Sequence, residues 1–184
     1  GIAIDILHKE AHFGFPEWKQ KHEPILDTLR WFFENYQGKL IWHNCTYDIK
    51  VLIYVLYMKN LMDTEGLLRG LEVMTKNFED TKIIAYLATN TCSENPLGLK
   101  YLAHEFAGNY AQENITDITK IPPKELLEYN LVDCLSTWFV YNKYYPIMVK
   151  DQQEEVYKTL FKPMLKQGIQ MELTGMPLNM VRVN

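Results

Sequence analysis

Two aspartates, each with a polar escort, are the residues of this chain whose types and spacing can do chemistry. The first closes the run His43-Asn44-Cys45-Thr46-Tyr47-Asp48, directly after the apolar stretch Leu40-Ile41-Trp42. The second ends Tyr129-x-x-x-Asp133, in a segment that reads as helix. Residues four apart share a helix face, so the Tyr129 hydroxyl and the Asp133 carboxylate can act on one atom. Hard divalent cations take carboxylate oxygens, and two such groups on separate elements suit a metal site that handles phosphate. Each residue alone also has a plainer reading. Asp48 at a helix start is favoured by the helix dipole, and a lone tyrosine is usually packing, with Tyr141, Tyr144 and Tyr145 close by in sequence. Asp80 reads as a helix N-cap rather than a ligand. His43 is structural or lies beside a substrate, His104 sits on a surface or packs, and Cys134 reads as a small core residue.

The elements that must position these groups follow from periodicity and punctuation. Strands are expected near 2–7 and at 39–43, with an irregular stretch around Gly14 and Pro16 between them. Helices are expected at about 24–36 (proline in the first turn, Gly38 past the end), 47–58, 81–88, 97–107 and 124–145. Residues 62–75 stay ambiguous because Gly66 and Gly70 weaken a helix, and 108–121 read as loop. Pro146 leaves one helix end open, and a further long helix over 151–172 carries Pro163 as an expected kink. Early strands with interleaved helices indicate an α/β domain.

Bulk properties narrow the class. A chain of 184 residues with 47 % hydrophobic and 13 % aromatic content suits one well-buried domain plus a tail. No apolar run approaches the roughly 18 residues of a membrane span, so no membrane partner is expected. The net charge of −4 argues against holding duplex by bulk electrostatics, while a divalent-ion site is itself rich in carboxylates. Cys45, Cys92 and Cys134 are odd in number and widely spaced, which fits reduced intracellular thiols. Gly1 opens the chain inside a strand-like run, so the native start is expected further upstream.

With these residues in view, Asn44-x-x-Tyr47-Asp48 followed by Tyr129-x-x-x-Asp133 resembles the second and third motifs of the DEDDy 3′–5′ exonucleases. Within that group the chain is most similar to the proofreading domain of family A DNA polymerases. Gly1-Ile2-Ala3-Ile4 resembles that family's second strand, Glu79-Asp80-Thr81 its helix start, and Met171-Glu172-Leu173-Thr174-Gly175-Met176-Pro177-Leu178 its junction into the polymerase domain. The resemblance implies an RNase H-like fold, with a mixed central sheet flanked by helices. Residues 1–150 would form the exonuclease domain and 151–184 a helical lead-in to the polymerase. It also implies two Mg²⁺ (or Mn²⁺) ions, Asp48 and Asp133 as metal ligands, and Tyr129 orienting the attacking water. Asn44 and Tyr47 would lie by the terminal nucleotide, and the partners would be a single-stranded DNA 3′ end and the polymerase domain of the same polypeptide. The setting would be the cytoplasm of a bacterial or phage-infected cell.

One departure matters. The family's first motif, Asp-x-Glu, is expected upstream of Gly1, and the chain without it is expected to be inactive or nearly so. The one Asp-x-Glu present, Asp63-Thr64-Glu65, follows the second motif and is preceded by Lys59-Asn60-Leu61-Met62, a poor buried strand. Two alternatives remain open: a silent exonuclease-like domain that buttresses a polymerase, and an RNase D-like RNA-trimming nuclease.

Overall fold

The computed structural model describes residues 16–89, 96–108 and 121–176. The expected strand near 2–7, Cys92 and the end of the junction-like tail lie outside the described residues. The first helix, α1 (Pro16–Asn35), starts earlier than the sequence indicates, because Pro16 supplies the fixed φ of a first helical position. Pro24 therefore sits inside it. Leu26 and Leu29, both buried against Val55 and Leu56, hold the helix beyond that point.

Strand β1 (Leu40–Trp42) turns through Asn44 into α2 (Cys45–Leu56), which packs on α3 (Thr64–Met74). The glycines that obscured α3 are contact points. A Cβ on Gly66 would lie 2.3 Å from the Tyr57 carbonyl oxygen, and one on Gly70 would lie 2.9 Å from Ile53 Cγ2. Their missing side chains let α3 approach α2 closely. Asp63 caps α3, accepting from Gly66 N and Lys59 N at 2.9 Å each, and Glu65 is exposed. Asp63 thus serves the helix start, and neither residue lines the cavity that holds Asp48 and Asp133.

Strand β2 (Phe78–Asp80) was not legible as a strand. It pairs in parallel with β1, matching Leu40 with Phe78, Ile41 with Glu79 and Trp42 with Asp80. All three of its residues are buried. Helix α4 (Thr81–Thr89) follows directly. The single helix expected at 97–107 is instead two short ones, α5 (Leu99–Leu102) and α6 (His104–Ala107), broken at Ala103. His104 is exposed, within the surface reading given to it.

Helix α7 (Pro123–Lys150) runs straight through Pro146. An interior proline costs about 3 kcal/mol or more. Met148 and Val140, both fully buried against α4 side chains, carry the helix across it. Then α8 (Glu154–Val156), a π-helical turn (Tyr157–Phe161) and α9 (Lys162–Thr174) follow one another without a break. The expected kink thus takes the form of a π turn, with Pro163 just inside α9.

The described part is mostly helical with a two-stranded parallel sheet, consistent with an α/β domain. Its largest core cluster joins Cys45, Ile49 and Ile53 of α2, Leu67 and Leu71 of α3, and Leu165, Ile169 and Leu173 of α9. Helix α9 is therefore packed on the helix that carries Asp48. No described helix is long and apolar enough to cross a membrane.

Candidate functional site

The route from β1 into α2 decides where Asp48 points. Asn44 adopts the left-handed conformation, φ 62° and ψ 53°, which asparagine tolerates better than most residues. That turn presents the first N–H groups of α2 to β2, where Asp80 waits, 1 % exposed. One carboxylate oxygen of Asp80 accepts from Cys45 N at 2.7 Å. The other accepts from Lys82 N at 2.8 Å and Ile83 N at 3.2 Å, with Asn44 N at 3.4 Å. The expected cap of α4 is present, and the same side chain also caps α2. Both oxygens are thus engaged by backbone donors, as the cap reading of Asp80 requires.

Thr81 and His43 tighten the junction. The Thr81 hydroxyl donates to the Trp42 carbonyl at 3.0 Å, and His43 Nδ1 is hydrogen-bonded to the same hydroxyl at 2.9 Å. Burial holds the imidazole below its usual pKa despite the neighbouring Asp80. His43 is thus a neutral, structurally committed ring that also forms part of a cavity wall.

That cavity, about 670 Å³ and open to solvent, brings Asp48 and Asp133 onto one surface. Asp48 stands in the first turn of α2 and Asp133 on α7. Burial raises the Asp48 carboxyl above the ordinary aspartate range, the N–H of its own residue opposes this, and Asp80 adds to it. Asp48 still presents an open face to solvent. Burial likewise raises Asp133, against the lowering effects of the Lys100 ammonium and a hydrogen bond from Tyr129. The i−4 spacing places the Tyr129 hydroxyl on Asp133, and Lys100 Nζ lies 5.3 Å from the centre of the Tyr129 ring.

Asn44 and Tyr47 do not join the wall. The Asn44 side-chain oxygen takes a hydrogen bond from Lys82 Nζ at 3.3 Å, and Tyr47 is 65 % exposed. Cys134 is exposed and lines the cavity, contrary to its reading as a core residue. Its helix position beside Asp133 turns it toward the cavity, where partial desolvation at the wall and the Asp133 charge raise the thiol.

Sequence reasoning missed Asn130, Thr137 and Trp138, which share the cavity-facing side of α7 with Asp133, and also Tyr36, Lys39 and Trp42. A helical-wheel projection outward from Asp133 finds the α7 residues. The others have no local signal, because only the fold brings them there.

The donor chemistry suits a hard divalent cation. Two carboxylates held above their ordinary range face one space, and a cation there would favour their charged forms. Among the described residues no group of three or more His, Cys, Asp or Glu side chains lies close enough to hold an ion.

A family model described as 3′–5′ exonuclease, of the DNA polymerase A type, matches residues 1–148. Neither curated proteins nor solved structures give a significant match. The matched stretch contains Asp48, Tyr129 and Asp133 together with the strand, turn and helices that hold them, and it spans most of the sequence. The chain belongs to the 3′–5′ exonuclease domain family of family A DNA polymerases.

Proposed function

We propose that this domain removes nucleotides from the 3′ end of single-stranded DNA by hydrolysis, as the proofreading partner of a polymerase domain in the same polypeptide. Its fold in this reading is RNase H-like, with the observed parallel pair as part of a larger mixed sheet. The observation that carries the proposal is the convergence of Asp48 and Asp133 on one cavity, with the Tyr129 hydroxyl hydrogen-bonded to Asp133.

Asp48 and Asp133 would hold divalent ions, two Mg²⁺ or Mn²⁺ in the complete site. Such ions supply a nucleophile from water and charge compensation on the leaving oxygen. Tyr129 would orient the attacking water, a positioning role that requires no shifted pKa. Asn44 and Tyr47, outside the wall, would meet the terminal nucleotide at its rim, where an exposed ring stacks on any base. Lys100 would steady the Tyr129 ring from its face.

The test is release of mononucleotides from a 5′-labelled single strand with Mg²⁺ or Mn²⁺. It is run on this chain and on one extended upstream, each with and without Asp133→Ala. Metal-dependent trimming that Asp133→Ala abolishes supports the assignment. Trimming that survives the substitution rejects it.

A further inference from the structure

Residues beyond the matched stretch reach back to strand β2. The π turn after α8 delivers Tyr157, 0 % exposed, to the buried face of β2. Its hydroxyl accepts the backbone N–H of Asp80 at 2.8 Å, and the neighbouring Glu79 carboxylate helps burial to hold the phenol protonated. Glu79, itself 4 % exposed, is held by Lys39 at 3.3 Å and Lys162 at 3.7 Å. A phenylalanine would fill the same apolar space, so the buried phenol is there for its oxygen. The π turn is a strained way to continue a helix and marks functional positions more often than ordinary ones. Here it rotates Tyr157 onto β2, with Lys162 N–H reaching back to the Tyr157 carbonyl.

We propose that Tyr157 is a positioning residue for the acidic site, acting through Asp80. The hydroxyl fixes the Asp80 backbone, the Asp80 carboxylate fixes Cys45 N at 2.7 Å, and that cap sets the first turn of α2, where Asp48 stands. The segment after residue 150 is then part of the device that aims the site. A small displacement of a catalytic group costs much more in rate than in binding, up to about a hundredfold for 1 Å. Only the metal arm of the following test rests on the reading of Asp48 as a ligand.

Tyr157→Phe keeps the ring and deletes the oxygen, and Leu29→Ala, which removes packing from Val55 and Leu56 at the opposite end of α2, serves as a control that loosens this helix without touching the tie to β2. Amide hydrogen exchange at Cys45 is measured in the wild-type chain and both variants, at equal distance below each melting temperature. Mn²⁺-induced broadening of the Asp48 carboxyl carbon is followed in the same samples. The proposal expects Tyr157→Phe to speed Cys45 exchange about fivefold, the factor that the net loss of one hydrogen bond brings. It also expects several-fold more Mn²⁺ to be needed at Asp48, with Leu29→Ala moving neither readout. Identical behaviour of the two variants in both readouts overturns it. If Mn²⁺ broadens neither Asp48 nor Asp133 in the wild type, the metal reading of the site fails, and the exchange arm alone decides the proposal.

Discussion

Replacing Asp80 by alanine should destabilise the domain more than the loss of an ordinary surface cap. The side chain is 1 % exposed and caps two helices, accepting from Cys45 N on one oxygen and from Lys82 N and Ile83 N on the other. One N-cap contributes about 1 kcal/mol, with a range of roughly 0.5–2. Two caps lost at once give about 2 kcal/mol. Buried donors without water or a partner raise this toward roughly 4 kcal/mol, while relief from burying a carboxylate offsets a part. Asp80→Asn provides an internal comparison, because its amide offers one acceptor oxygen and can serve only one helix. It should lose about half as much. For a chain of this size each kcal/mol moves the melting temperature by about 2–4 °C, so Asp80→Ala should melt roughly 5–15 °C lower. Urea unfolding followed by far-UV circular dichroism separates the three proteins. Equal losses for Ala and Asn, or an Ala loss below about 0.5 kcal/mol, would refute the double-cap argument.

Three further outcomes are expected. Gly66→Ala should lower the melting temperature by the equivalent of about 1–3 kcal/mol, because its Cβ would meet the Tyr57 carbonyl oxygen at 2.3 Å. A rise from improved helix propensity would contradict the close-approach reading. Burial raises Asp48 and Asp133 above their unfolded values, so the folded state holds their protons more tightly. Metal-free stability should therefore fall as pH climbs from the ordinary carboxyl range through the raised values. Asp133→Asn should flatten that slope and remove part of the stabilisation by Mg²⁺ near pH 7, as a melting series across pH with and without the ion would record. Tyr129→Phe should reduce kcat by about ten- to a hundredfold with little change in KM. A change confined to KM would instead place the hydroxyl on the substrate.

How much was legible differs from residue to residue. The sequence by itself singled out Asp48, Tyr129 and Asp133 as candidates, because Asn44-x-x-Tyr47-Asp48 and Tyr129-x-x-x-Asp133 are local patterns whose spacing fixes helix faces. It also determined the parts of α2, α4 and α7 that surround them, since caps and apolar periodicity are written along the chain. It left α3 open, where glycine pairs α3 with α2 instead of breaking a helix. Strand β2 was invisible for a physical reason. Two of its three residues are carboxylates, which read as loop unless something distant neutralises them. Lys39 and Lys162 do so for Glu79, and backbone N–H groups from two helices do so for Asp80. The cavity wall beyond α7 and the tie from Tyr157 to Asp80 share that character. They join residues remote in sequence, and whether a buried polar group stabilises or destabilises depends on partners that only the folded chain supplies.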